Sequence, residues 1–178
     1  KFLVRGYDQL ELALISGAQL KLVGSHSGVN IGADGPSQMG LTDVGYMRGF
    51  TRVRGNDDRP LFAFFNPACA TTAYRCIELM YAFPGAAYMR AIRSKLPLLY
   101  QPDEQFEVGG VKSHGSGSAV TLAAAGYMVH EALKARDELA KRDIEARVVD
   151  CYSFPMHPAA LDQMDTPVVV TLEDNYGN

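Results

Sequence analysis

The most regular stretch of the chain runs from residue 119 to residue 151 and reads AVTLAAAGYMVHEALKARDELAKRDIEARVVDC. Its two ends, 119–125 and 146–151, are short apolar runs of the kind found in buried strands, and residues 127–142 carry apolar side chains at helical spacing. Strand, helix and strand in this order, with nearly continuous apolar strands, predict two parallel strands joined by a crossover helix. The stretch therefore predicts an α/β fold.

The same alternation of helix and strand continues on both sides of this stretch. The spacing predicts strands at 20–23, 61–65, 86–92 and 167–172. It predicts helices at 7–16, 41–48, 71–81 and near 158–163. Glycine and proline accumulate without any period between residues 94 and 118, which is typical of a domain boundary. We therefore predict two α/β units and expect the C-terminal unit to be incomplete.

Length, composition and charge exclude several classes of protein. The chain has 178 residues, of which 47% are hydrophobic and 21% charged, as in ordinary globular proteins. Its 17 Lys+Arg against 20 Asp+Glu leave a net charge of −3, which gives no reason to expect nucleic acid or an anionic membrane as a partner. No apolar run approaches the roughly 20 residues that span a bilayer.

The cysteines and the two ends of the sequence suggest a location and a context. Three cysteines are an odd number at spacings that suit neither a disulfide framework nor a zinc site, so we expect the reducing environment of the cytoplasm. The sequence opens on Lys1 rather than Met and stops just after a predicted strand. We expect it to be part of a larger protein or one subunit of a split one.

Polar side chains are concentrated in the segment GSHSGVNIGADGPSQMG, residues 24–40. It directly follows a predicted strand and so lies at the carboxyl end of that strand, where open α/β sheets bind ligands. Five glycines allow the backbone to approach a ligand closely, and His26, Asp34 and Gln38 offer hydrogen-bonding groups. Taken by itself, such a segment is more often a turn with a solvated His and Asp than a binding site.

The central part of this segment, GADGPSQ at residues 32–38, resembles the second signature of the transketolase family, enzymes that use thiamine diphosphate. Similarity to the family's pyrimidine-binding domain extends over residues 13–47, and further similar segments follow in the family's order up to residue 176. The resemblance implies a parallel-sheet, three-layer pyrimidine-binding domain at residues 1–108, truncated at its N-terminus. A partial α/β C-terminal domain would follow at residues 109–178.

The resemblance also implies roles for five residues. Phe2 would stack on the aminopyrimidine ring, and Gln38 would face the cofactor and its adduct. His26 and Asp34 would bind the sugar, with Asp34 accepting a hydrogen bond from a hydroxyl group, and Arg93 would grip its phosphate. The alternatives are a core phenylalanine, a structural histidine, a turn-forming aspartate and a solvated arginine.

Other parts of a transketolase site would lie outside this sequence. In the family a glutamate that precedes the residue matching Lys1 assists activation of the cofactor, so we assign no catalytic residue here. The Gly-Asp-Gly motif that binds Mg²⁺ and the diphosphate belongs to a separate domain, so we assign no metal ligand either. We expect that domain or subunit as a partner, in a homodimer or a heteromer, and expect this chain to be inactive alone.

Three features depart from the family pattern. Thr42 stands where the signature has an acidic or aromatic residue, and Cys69 stands where the family usually has Asp. The polar segment 54–60 lengthens the chain between the second helix and the second strand and is expected to form a surface loop.

The resemblance favours transfer of a two-carbon ketol unit between phosphorylated sugars, as in the pentose phosphate pathway. Alternatives with the same fold are a dihydroxyacetone synthase and the β-subunit of a 2-oxo acid dehydrogenase. The dehydrogenase fits less well, because Asp34 and Arg93 suit sugar hydroxyls and phosphate. A non-catalytic, transketolase-like protein that keeps the fold is a further alternative.

Overall fold

The computed structural model describes residues 2–176 as an α/β protein with two four-stranded sheets. The eight strands are β1 (Lys21–Gly24), β2 (Phe62–Phe65), β3 (Ala86–Arg90), β4 (Lys112–His114), β5 (Val120–Ala124), β6 (Ala146–Asp150), β7 (Ser153–Phe154) and β8 (Val168–Leu172). The α-helices are α1 (Tyr7–Ile15), α2 (Asp43–Phe50), α3 (Ala70–Ala82), α4 (Met128–Ala140) and α5 (Pro158–Leu161). Both the fold class and the order of the predicted elements are confirmed.

The first sheet has the strand order β1-β3-β2-β7 and is the centre of three layers. Strands β1, β3 and β2 are parallel, and their apolar side chains alternate between two cores. Phe62 and Phe64 point toward α1 and α2, whereas Ala63 and Phe65 point toward α3. Because both faces are covered, β2 is buried at all four of its residues.

The second sheet has the order β4-β6-β5-β8, and its three strands β6, β5 and β8 are parallel. Helix α4 covers one face of this sheet, where Val129 and Ala132 pack on Leu122 and Val148. Strand β8 lies at the edge, and its three valines, 168–170, are each more than two-fifths exposed. The parallel strand–helix–strand unit predicted from residues 119–151 is thus confirmed.

Two short antiparallel strands were not predicted. Strand β4 adds to the second sheet beside β6, and β7 crosses to the first sheet and pairs with β2. The two sheets are therefore joined by main-chain pairing as well as by side-chain packing. The division of the chain at residue 108 stays a prediction.

Two loops contain residues singled out in the sequence analysis. Strand β3 ends at Arg90, two residues earlier than predicted, so Arg93 lies in the segment that follows the strand. Residues 54–60 form an exposed turn closed by a bridge between Arg54 and Pro60, in agreement with the expected surface loop. Among residues 2–176, no helix combines the length and the apolar character needed to cross a membrane.

Candidate functional site

The glycine-rich segment leaves the carboxyl end of β1 and crosses the ends of the parallel strands. Its two ends are held together, because Gly28 N donates to Gly40 O at 2.9 Å and Ser27 pairs with Gly40 in a parallel bridge. Ser27 also donates through its backbone N and its Oγ to Ala91 O, just after β3. The segment is therefore a closed loop attached to the neighbouring strand.

The loop needs unusual backbone conformations. Gly28, Gly32 and Gly35 have φ between 73° and 75°, in the left-handed region that glycine adopts without a steric penalty. His26 also has a positive φ, of 60°, although it carries a side chain. Non-glycine residues in this region are held there by their surroundings, and they are often found at functional sites.

Four of the five residues assigned from the resemblance line one cavity of about 490 Å³. They are Phe2, His26, Asp34 and Gln38, and Ser25 and Ile31 complete the lining. Two short 3₁₀ turns, Gly32–Asp34 and Pro36–Gln38, present the Asp34 and Gln38 side chains on the exposed side of the loop. The loop therefore brings an aromatic ring, an imidazole, a carboxylate and an amide to the same opening.

Arg93, the fifth of these residues, does not line the cavity, but it forms an ion pair with Asp34, which does. Its Nη1 donates to Asp34 Oδ2 at 2.7 Å and to Ile31 O at 3.4 Å. The two side chains of the ion pair are about half exposed, 51% for Arg93 and 43% for Asp34, so the guanidinium is accessible to a ligand. The neighbouring Ser94 donates to Asn30 Oδ1 at 2.6 Å, which adds a second contact between this segment and the loop.

A buried ion pair lies behind the loop, and the sequence reasoning missed it. Arg90 is 2% exposed, and its Nε donates to Asp43 Oδ2 at 3.1 Å. Tyr88 donates to the same carboxylate at 2.9 Å, and burial, reinforced by the nearby Asp43 carboxylate, raises the pKa of Tyr88. A signal was present, because an arginine inside a strand with an apolar environment requires a buried acidic partner.

The cavity fits the chemistry of a flat heteroaromatic ring beside a sugar phosphate. The Phe2 ring is 81% exposed and offers an open face for stacking. Gln38 offers a donor and an acceptor that do not titrate, and Asp34 accepts hydrogen bonds from hydroxyl groups. His26 and Arg93 carry the nitrogen donors that bind phosphate oxygens.

The residues described between 2 and 176 contain no group of three or more His, Cys, Asp or Glu side chains placed to hold a metal ion. The assignment of the Mg²⁺ ligands to another domain stays a prediction.

A second cavity, of about 570 Å³, lies between α2 and the second sheet. Its lining includes Arg48, Arg52 and Arg54 together with apolar side chains such as Met156 and Met164. It contains none of the residues that the sequence assigned, and we do not place the reaction there.

Comparison with known proteins identifies the family of this chain. Residues 109–178 match the family model of the transketolase C-terminal domain. Transketolase-like protein 2 of Bos taurus is 35% identical over 181 residues, which covers 98% of this chain and 28% of that protein. Human transketolase is 33% identical over the same length, again with 98% of this chain and 28% of its own sequence covered. The chain thus spans less than a third of these relatives.

Among solved structures, a split-gene transketolase described as an inactive β4 tetramer superposes with a TM-score of 0.76. It is 27% identical, and the match covers 93% of this chain and 53% of that one. The chain is therefore a member of the transketolase family, related to it over nearly all of its length, and its residues 109–178 match the C-terminal domain of that family.

Proposed function

We propose that this chain forms the part of a transketolase-type site that faces the sugar phosphate and the aminopyrimidine ring. The observation that carries the proposal is the shared opening of Phe2, His26, Asp34 and Gln38, with Arg93 bonded to Asp34 at its rim. The reaction would be transfer of a two-carbon ketol unit between phosphorylated sugars, in the cytoplasm. Thiamine diphosphate, when bound, supplies the carbanion chemistry of such a transfer.

The residues of this chain would bind and orient the reactants. Phe2 would stack on the aminopyrimidine, and Gln38 would face the cofactor. Asp34 would accept a hydrogen bond from a sugar hydroxyl, which rejects sugars that lack that hydroxyl or hold it in the wrong configuration. Arg93, with His26, would bind the phosphate group.

The proposal includes a partner that binds the diphosphate and Mg²⁺. A site assembled from two domains or subunits is consistent with a chain that spans 28% of human transketolase and with a split-gene relative whose β4 tetramer is described as inactive. We therefore propose that this chain becomes active when joined to a diphosphate-binding domain or subunit, in a homodimer or a heteromer.

The test compares Arg93→Met with Arg59→Met in the protein assembled with its diphosphate-binding domain or subunit. Arg59 is an exposed arginine of the 54–60 turn, far from the loop in sequence, and serves as the control. With a ketose phosphate as donor and an aldose phosphate as acceptor, Arg93→Met should lower kcat/KM by roughly 10- to 100-fold, as expected for lost charged hydrogen bonds. With unphosphorylated sugars it should change kcat/KM little.

Two outcomes would contradict the proposal. An equal loss with phosphorylated and unphosphorylated sugars would show that Arg93 does not bind phosphate. Transfer to formaldehyde, or turnover of a 2-oxo acid, in preference to aldose phosphates would favour the dihydroxyacetone synthase or the dehydrogenase instead.

A further inference from the structure

The segment that follows β8 returns to the glycine-rich loop and contacts it at Asp174. This residue is 6% exposed, and its Oδ1 accepts a hydrogen bond from Val29 N at 2.9 Å. Its backbone carbonyl accepts a second hydrogen bond, from Arg90 Nη2 at 2.7 Å. Residue 174 belongs to the part of the chain that forms the second sheet, so it links that sheet to the loop.

Arg90 completes the connection on the side of the first sheet. Besides its ion pair with Asp43, its Nη2 donates to Gly40 O at 3.3 Å, at the point where the loop ends. A single buried guanidinium therefore holds the end of the loop, the first turn of α2 and residue 174. Charged donors in such buried networks are costly to leave unpaired, which makes the arrangement cooperative.

Close packing at Gly28 shows how tightly Asp174 fits against the loop. Gly28 has φ of 73°, and a Cβ at this position would overlap the Asp174 carboxylate. The second carboxylate oxygen, Oδ2, is buried without a hydrogen-bond partner among residues 2–176. The contact lies two residues beyond His26, whose positive φ must be supported by the surrounding structure.

We propose that Asp174 and Arg90 are positioning residues for the sugar-phosphate site. They hold the glycine-rich loop in the conformation that brings His26, Asp34 and Gln38 to one cavity, without touching the substrate themselves. The proposal rests on the proposed function of that cavity. If Asp174 holds the loop, the segment after β8 supports the site. The second sheet then contributes to substrate binding at the loop, which belongs to the first sheet.

The test uses three single variants. Asp174→Ala removes the acceptor for Val29 N, whereas Asp174→Asn keeps an acceptor oxygen at the same place. Glu173→Ala is the matched control, because Glu173 is the adjacent, exposed carboxylate. Two quantities are measured: the hydrogen-exchange rates of the Gly28 and Val29 amides in this chain, and KM and kcat for a ketose phosphate in the protein assembled with its diphosphate-binding partner.

For Asp174→Ala we expect faster exchange at both amides and a KM for the ketose phosphate raised about tenfold, with a smaller change in kcat. Asp174→Asn should restore both quantities most of the way, and Glu173→Ala should leave them unchanged. These results together would support the proposal, because a purely structural residue would lower thermal stability without raising KM selectively.

The proposal is overturned if exchange at the two amides does not change in Asp174→Ala, or if it rises while KM stays the same. It is equally overturned if Glu173→Ala raises KM as much, or if Asp174→Asn is as impaired as Asp174→Ala. If the assembled protein of unaltered sequence transfers no ketol unit, the proposed function fails. The exchange rates then still decide whether Asp174 holds the loop.

Discussion

Two arginines three residues apart differ completely in their surroundings. Arg90 is the last residue of β3 and is buried against Asp43, whereas Arg93 is half exposed and bonded to Asp34. A family motif predicts that Arg93 binds phosphate, and that role stays a prediction. For Arg90 the sequence indicates only that a buried acidic partner is needed. It does not identify Asp43, Gly40 and Asp174, because they lie 47, 50 and 84 residues away and no local pattern encodes contacts at such separations.

At the scale of single residues, the glycines of the loop provide a prediction about stability. Gly28 and Gly32 share a positive φ, but a Cβ at Gly28 would overlap Asp174 and one at Gly32 would meet open space. Gly32→Ala should therefore cost about 1 kcal/mol of unfolding free energy from backbone strain alone. Gly28→Ala should cost at least about 2 kcal/mol more, because overpacking is added to the strain.

Urea denaturation of both variants measures this difference. Equal destabilisation by the two substitutions would show that the Asp174 carboxylate does not pack against the loop as described. The Asp174→Gly change in the Gly28→Ala background should recover part of the loss.

At the scale of single elements, prediction succeeded where the sequence is periodic and failed where it is not. The helices and the parallel strands were predicted because apolar side chains recur with the helical or the buried-strand pattern. Strands β4 and β7 were missed because they are three and two residues long and are formed by pairing with distant strands. A segment this short is too short to show an alternation of apolar and polar residues, and only pairing with its partner strand fixes its conformation.

The start of α3 shows how a departure from the family pattern affects an element. Cys69 occupies the N-cap position, with extended φ and ψ of −156° and 177°, and its side chain makes no capping hydrogen bond. Its Sγ lies 3.5 Å from Thr72 Oγ1. Burial by itself raises the pKa of the Cys69 thiol, but hydrogen bonds from the backbone and from Thr72 lower it overall. The largest of these contributions comes from the backbone of Leu99, outside the helix, and smaller ones come from Thr72 and Thr71 in the first turn of α3.

We therefore predict that Cys69→Ser stabilises the protein by about 0.5–1 kcal/mol, because a serine oxygen is a stronger N-cap acceptor than sulfur. Cys76→Ser is the control: Cys76 is fully buried within the same helix, away from the cap, and its substitution should destabilise. Thermal unfolding of the two variants measures both effects, and a lower melting temperature for Cys69→Ser would contradict the assignment of the cap.

At the scale of the whole molecule, a buried polar network joins Tyr100, which lies in the segment between β3 and β4, to residues of the second sheet. Tyr100 donates to Asp150 Oδ2 at 2.7 Å, and its hydroxyl lies 2.9 Å from His114 Nε2. Burial raises the pKa of Asp150 to about 7, although the hydrogen bond from Tyr100 opposes the shift. The native state therefore holds a proton on Asp150 between about pH 4 and pH 7 that the unfolded chain releases.

This raised pKa predicts the direction of a pH effect. As the pH falls from about 7.5 to 5.5, the free energy of unfolding of the unaltered chain should rise by about 2 kcal/mol relative to Asp150→Asn. Burial also lowers the pKa of His114, which acts in the opposite direction but is common to both proteins. Chemical denaturation at the two pH values measures the difference, and a constant or falling difference would contradict a raised Asp150 pKa.

The central claim is that the glycine-rich loop and Arg93 form the sugar-phosphate half of a transketolase-type site. Amide chemical shifts of the ¹⁵N-labelled chain, followed during titration with a ketose phosphate, test it most directly. We predict saturable shifts confined to residues 25–40 and 93–94, with a dissociation constant on the order of millimolar for half a site, and loss of these shifts in Arg93→Met. Shifts that map instead to the cavity of Arg48, Arg52 and Arg54, or no shifts at all, would contradict the account.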